Sequence, residues 1–337
     1  TFLYSKKNEA NEMQDHKLNR QLIETVRSKQ LFKASDHIVV AFSGGHDSLT
    51  LLQWLTQQNL PQELQPQVSA LYVNHHLRSD APAEARFVSE VFNATPQLVA
   101  TRMVDLDWVE TPTSAIEEQA RERRYAALVD FAKDIGANKI VTAHHATDQA
   151  ETVLYKLVRG GHIQQLQGRQ FKGPLTEQIE LVRPFLGIAK GSLDTLLDKP
   201  LQHWITDSSN QDNQFARNRI RNRVLPELEL INQQAATHIN ESAEQLAGMS
   251  YLLQATLPQQ FAALEMGTFD WTMPNTAIIY VLQAWLNQQG LYQVKNRQLQ
   301  QAIQLMRNES VAQGKITLGK GWQLVREQAM LRLERLG

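Results

Sequence analysis

Over most of the chain's first 225 residues, short apolar runs alternate with stretches in which apolar residues recur at helical spacing. The runs His37 to Phe42, Val68 to His75, Leu98 to Asp105, Lys139 to His145 and Leu181 to Leu186 predict strands, and the stretches near 48–58, 83–92, 114–134 and 147–159 predict the helices between them. That alternation implies an α/β fold, a doubly wound and mostly parallel sheet of five strands covered on both faces, with its ligand at the carboxyl ends of the strands. Leu18, Leu22, Ile23 and Val26 form a helical pattern ahead of the first strand. After Pro226 a long helical stretch carries Leu230, Ile231, Ile239, Leu246, Met249, Leu252 and Leu253, and a helical pair follows around 275–307. The closing runs Lys315 to Leu318, Trp322 to Arg326 and Met330 to Leu333, with a turn at 319–321, predict a small antiparallel hairpin. The expected organisation is an N-terminal helical extension over 1–35, a sheet domain over 36–225 and a smaller, mainly helical domain over 226–337.

Composition narrows the setting. The 337 residues are 42% hydrophobic, enough for real cores, and no stretch approaches 18 uninterrupted apolar residues. A soluble, cytoplasmic protein with no membrane partner is expected. The absence of cysteine excludes a disulfide framework, a thiolate metal site and a thiolate nucleophile. A net charge of −1 gives no overall nucleic-acid footprint, so any RNA contact must be local, and Arg217, Arg219, Arg221 and Arg223 supply one such cluster.

The densest chemistry lies at Ser43, Gly44, Gly45, His46, Asp47 and Ser48, between the first strand and the helix that follows it. Two glycines allow a tight turn that brings backbone N–H groups to a ligand, and the helix points its positive end at the same place, which makes a cradle for a phosphate or pyrophosphate. Asp47 would repel such a ligand unless a divalent cation such as Mg²⁺ lay between them, so the loop implies a nucleotide with its metal. A glycine-rich turn with a serine cap is the structural alternative. The string is neither the P-loop nor the three-glycine dinucleotide fingerprint.

Three further clusters stand near predicted strand ends. Asp148 and Glu151, three apart at a helix start, project to one side after His144 and His145; they could equally serve the helix dipole. Arg124 falls on the apolar stripe of Ile116, Ala120, Ala127 and Phe131, so it must find either an ion pair with Glu117 or an anionic ligand. Arg217, Asn218, Arg219 and Arg221, following Asp207 to Asn210, suit phosphate and base-edge contacts, although a solvated basic helix is the default for such a run.

The loop resembles that of the PP-loop ATP pyrophosphatases, which have a Rossmann-like fold. The series Ser43 to Ser48, Val73 to Arg78, Ile116 to Tyr125, His144 to Thr152 with Arg159 to Gly161, Arg183 to Leu186, and Asp207 to Asn210 with Arg217 to Arg221 resembles the tRNA(Ile)-lysidine synthetase family, over about residues 37–226. That resemblance implies ATP-dependent adenylation of the C2 oxygen of the wobble cytidine in a tRNA(Ile) with the anticodon CAU. Free L-lysine then displaces AMP through its ε-amine. It implies that residues 43–48 hold ATP, that Asp47 serves the metal, that Asp47, Arg124, Asp148 and Glu151 are catalytic, and that Arg217, Asn218, Arg219 and Arg221 touch tRNA. The chain departs from the family at Thr147, where a second acid is usual, and at Asn74 and His76. Longer members carry a further C-terminal tRNA-binding domain, so a short or shortened form is expected.

Two other readings fit parts of the sequence. A PP-loop ligase amidating a small molecule accounts for the loop but not for residues 217–223, and a non-catalytic nucleotide-responsive RNA-binding protein leaves Asp47, Asp148 and Glu151 without a purpose. Sulfur-transferring relatives need cysteines that this chain lacks. The apolar residues on the later helices could serve an interdomain contact or a homodimer.

Overall fold

The computed structural model describes residues 16–57, 60–74, 81–106, 116–161, 163–196, 204–205, 216–292, 294–319 and 321–336, with the side chains at 81, 82, 116, 117 and 195 set aside. Two compact units divide the chain. One comprises residues 1–155 and 168–241, the other 156–167 and 242–337.

In the first unit, helix α1 (16–28) leads into β1 (His37–Phe42), α2 (His46–Thr56), β2 (Gln67–Asn74), α3 (Ala81–Asn93), β3 (Leu98–Asp105), α4 (Ile116–Asp134), β4 (Lys139–Val141), α5 (Ala146–Val158), β5 (Lys172–Pro174), β6 (Glu180–Val182) and the short α6 (Lys190–Leu193). The strands form one sheet in the order β3-β2-β1-β4-β6-β5, parallel except for the antiparallel β5–β6 pair. Because β1 is central, both its faces are covered, which is why its sequence is a nearly continuous apolar run. Ile38, Val40 and Phe42 pack with Leu22, Leu52, Trp54 and Phe185 on one side, while Val39 packs with Leu128, Phe131 and Ile140 on the other. The strand order reverses between β1 and β4, which pair at Val40 and Val141. A crevice at such a reversal, at the carboxyl ends of the strands, is where open α/β sheets bind ligands.

The same unit continues through α7 (Ala216–Arg219), a π-helical turn at Ile220–Val224, and α8 (Leu225–Ile231). Ile220 and Leu225, with Ala236, pack on Ala150 of α5. Helix α9 (Ala235–Gln254) follows. The second unit holds α10 (Leu257–Met266), α11 (Asn275–Gln288), α12 (Asn296–Arg307) and the antiparallel strands β7 (Gln313–Gly319), β8 (Trp322–Glu327) and β9 (Met330–Arg335). Its core joins Ile278, Leu282 and Trp285 to Leu299, Ile303 and Leu324.

The expected architecture is present, with four differences. The main sheet has six strands rather than five, because β5 is a three-residue edge strand containing Gly173 and Pro174, without the alternation that marks a strand. The runs 139–145 and 181–186 are strands only to Val141 and Val182, since the chain turns at once into the α5 terminus and into Pro184. The helical stretch after Pro226 breaks at residues 232–234, between α8 and α9. The terminal hairpin is a three-stranded sheet. Among the described residues no helix is long and apolar enough to cross a membrane.

Candidate active site

The loop from β1 to α2 is held open by its own side chains. Ser48 Oγ accepts the Ser43 N–H at 3.1 Å, lies 3.0 Å from Ser43 Oγ, and donates to the Gly45 carbonyl at 2.9 Å. Gly44 sits at φ +74°, where L side chains are strained, and a Cβ there would stand 2.2 Å from Ile205 Cδ1. Ile205 also donates its N–H to the Gly44 carbonyl at 2.9 Å. The positive φ is what calls for glycine at position 44, whereas the contact is with the tip of the flexible Ile205 side chain, which can turn aside.

Asp47 opens α2 and faces two imidazoles. Its Oδ1 lies 3.0 Å from His46 Nδ1 and its Oδ2 lies 3.4 Å from His145 Nε2. His46 reaches Asp194 through Nε2 at 3.1 Å, and its ring meets Trp204 edge-on at 4.9 Å. Burial opposes ionisation of Asp47, but the bonds from His145 and His46 outweigh it and hold the carboxyl well below the usual range.

His145 ends the β4 turn, is 3% exposed, and places Nε2 the same 3.4 Å from Asp148 Oδ2 as from Asp47. Its backbone N–H donates to Asp148 Oδ2 at 3.0 Å, so Asp148 caps the start of α5. Burial acts against the Asp148 charge, and the neighbouring His145 and the Arg169 cation pull its pKa below the ordinary value. His144, beside it, is pushed down to about 3, by burial first and then by Arg169, and is neutral at pH 7. Its Nδ1 lies 2.8 Å from Thr142 Oγ1.

Glu151, one turn further along α5, is fully buried and paired with the basic helix. Arg221 contacts its Oε1 at 2.5 Å and Oε2 at 3.0 Å and also reaches Asp148 Oδ1 at 3.2 Å; Arg217 donates to Glu151 Oε2 at 3.2 Å. Arg217 and Arg221 are four apart and face inward, while Arg219 and Arg223 are exposed and Asn218 is half-buried. Arg169 closes the other side, donating to the Asp148 carbonyl at 2.9 Å and Thr152 Oγ1 at 2.6 Å. Burial, then repulsion from Arg217, lowers its pKa to about 10, so it remains a cation.

The fold thus brings Ser43 to Ser48, Asp148, Glu151, Arg217 and Arg221 into one region. Arg124 is half-buried on α4 near His144, its guanidinium 5.8 Å from the Tyr125 ring centre. Residues 75–78 and 207–215 and the Glu117 side chain lie outside the described residues. Sequence reasoning did not find Arg169, Asp194, Trp204 or Ile205, none of which stands in a recognisable pattern. Among the described residues no group of three or more His, Asp or Glu side chains could hold a metal ion by itself. Asp47, ionised and partly exposed, is suited to give one carboxylate to a magnesium ion held mainly by phosphate oxygens and water.

A PP-loop domain family matches residues 14–228. A tRNA(Ile)-lysidine synthase of Lactiplantibacillus plantarum is 32% identical over 323 residues, covering 94% of this chain and 70% of its own. One from Synechococcus is 35% identical over 227 residues, covering 67% of each. The solved structure of the U34-tRNA thiolase NcsA from Methanococcus maripaludis, with its 4Fe-4S cluster, superposes with a TM-score of 0.55 over 70% of this chain and 79% of that one; at 15% identity this is a likeness of fold.

Proposed function

The chain belongs to the tRNA(Ile)-lysidine synthase family of PP-loop proteins, and we propose that its β1–β4 crevice converts the wobble cytidine of CAU-anticodon tRNA(Ile) to lysidine. The observation that carries this reading is that Asp47 and Asp148 both lie 3.4 Å from His145 Nε2, so the phosphate loop and the acceptor-side acid address one reaction centre.

In the first step the C2 oxygen of the cytidine attacks the α-phosphorus of ATP, and pyrophosphate leaves into the cradle of residues 43–48 at the α2 N-terminus. Magnesium, held by Asp47 and the nucleotide, would offset the charge on the leaving pyrophosphate. In the second step the ε-amine of free L-lysine attacks C2, the C2–O bond breaks, and that oxygen departs on AMP. Free lysine arrives as a cation with an amine pKa of about 10.4. Asp148 is the acid suited to hold it, because it stays ionised and is partly exposed, and the proton that the ammonium must lose before attack passes from Asp148 to solvent. Glu151, enclosed by Arg217 and Arg221, serves chiefly to position those two arginines beside the acceptor. Arg124 would stabilise charge on the departing AMP, and the exposed Arg219 and half-buried Asn218 would contact RNA.

The test is pyrophosphate release with ATP, Mg²⁺, unmodified CAU-anticodon tRNA(Ile) and radiolabelled lysine. Label in the RNA that disappears in Asp47→Ala supports the reading. Pyrophosphate release that ignores RNA contradicts it and favours a small-molecule acceptor.

A further inference from the structure

Three arginines gather about Tyr125, and among the described residues no acid is paired with them. The Arg121 and Arg124 guanidiniums lie 5.5 Å and 5.8 Å from the ring centre, and Arg183 lies against the same side chain. Arg183 is only 9% exposed. One of its terminal nitrogens donates to the Gln170 carbonyl at 2.7 Å, whereas its Nε is buried with no partner among the described residues. No ion pair joins Arg121, Arg124 or Arg183 to a carboxylate among those residues, in contrast to Arg217 and Arg221 nearby.

Such an arrangement is costly unless something offsets it. A buried guanidinium is ordinarily paired, and a buried donor without a partner calls for a ligand or ion. The cations also disfavour one another: burial, then repulsion from Arg121, lowers the pKa of Arg124, and Arg183 is shifted the same way, by burial and by Arg121. The guanidinium fork binds phosphate and carboxylate oxygens in pairs, and of these it is phosphate that both substrates of the proposed reaction, ATP and RNA, carry. Neutral His144 borders the cluster and adds no positive charge.

We propose that Arg121, Arg124 and Arg183 form a second phosphate-binding subsite, separate from the loop of residues 43–48, which takes a phosphate group of the substrate. The inference deepens the lysidine reading and rests on it for the identity of that substrate. The phosphate is either the α-phosphoryl group of ATP, in line with the role given to Arg124 on the departing AMP, or the RNA backbone beside the target cytidine, in which case Arg124 serves the RNA and not the AMP.

Affinities of the whole chain for MgATP and for a CAU anticodon stem-loop RNA, at fixed salt, separate these sources in wild type, Arg121→Gln and Arg183→Lys. Arg183→Lys keeps the charge but loses Nε and the fork; Arg121→Gln alters an exposed side chain, so the test survives if the buried variant fails to fold. A loss of about tenfold in RNA affinity with ATP unchanged assigns the RNA backbone, and the converse assigns the nucleotide. Either result supports the subsite. The ligand-free melting temperature of Arg121→Gln is expected to hold or rise as repulsion is relieved. Affinities for both ligands within twofold of wild type in every folded variant overturn the proposal. Lysine labelling by the wild type, run alongside, keeps the two claims apart: labelling with unchanged affinities refutes the subsite alone, and arginine-dependent binding without labelling refutes the reaction alone.

Discussion

Replacing Arg221 by alanine should destabilise the protein through Glu151 more than through the arginine itself. Glu151 is wholly buried, and Arg221 supplies two of its three charged contacts, at 2.5 and 3.0 Å, leaving Arg217 at 3.2 Å. Removing one partner of a buried pair costs about 3–5 kcal/mol when the other charge is stranded. Arg221 is 31% exposed and Arg217 remains, so screening and the residual partner reduce the expected loss to about 2 kcal/mol. Urea unfolding followed by circular dichroism measures it, and a double-mutant cycle with Glu151→Gln isolates the pair, with an expected coupling of about 1–2 kcal/mol. Glutamine should recover part of the loss in the Arg221→Ala background, because a neutral amide tolerates the missing cation. A loss below about 0.5 kcal/mol, or no coupling, would show that Glu151 is not held by the basic helix, and the proposed division of labour between Glu151 and Asp148 would go with it.

Gly44→Ala places a side chain at φ +74°; backbone strain of about 1–2 kcal/mol favours a distorted loop about 5- to 30-fold, so pyrophosphate release should fall by about that factor with circular dichroism unchanged, and normal release would refute the cradle geometry. His144 takes up a proton near pH 6.5 when unfolded but only near 3 when folded, so the folded state binds fewer protons between these values. Its contribution to stability should rise with pH across that window and be lost as pH falls through it, and His144→Gln should flatten the pH dependence of the melting temperature there. His145→Leu removes the neighbour shared by Asp47 and Asp148, so pyrophosphate release and lysine transfer should decline together, and a loss of only one would separate the two half-sites.

What the sequence disclosed was contiguous chemistry. Ser43 to Ser48 read as a phosphate cradle because the glycines, the acid and the strand-to-helix context lie side by side. The strands at 37–42 and 98–105 were legible because apolar or alternating runs of that length have few other uses. The antiparallel β5 was not, since three residues including Gly173 and Pro174 acquire strand structure only by pairing with β6. Arg217, Asn218, Arg219 and Arg221 read as a basic cluster suited to RNA, and the inward turn of Arg217 and Arg221 was not legible because it depends on Glu151, 66 and 70 positions away. The shared position of His145 between acids on two helices, and the gathering of Arg121, Arg124 and Arg183 at Tyr125, arise only when β1, β4 and the β6 end come together. No periodicity in one segment encodes them.

If one crevice both adenylates the RNA base and delivers lysine to it, the mass of the wobble nucleoside must change. Unmodified CAU-anticodon tRNA(Ile) is incubated with the protein, ATP, Mg²⁺ and lysine, digested to nucleosides and analysed by mass spectrometry. The expected product is a nucleoside with the mass of cytidine plus lysine less one water, formed with one pyrophosphate and one AMP. Unchanged cytidine beside RNA-independent pyrophosphate release would contradict it.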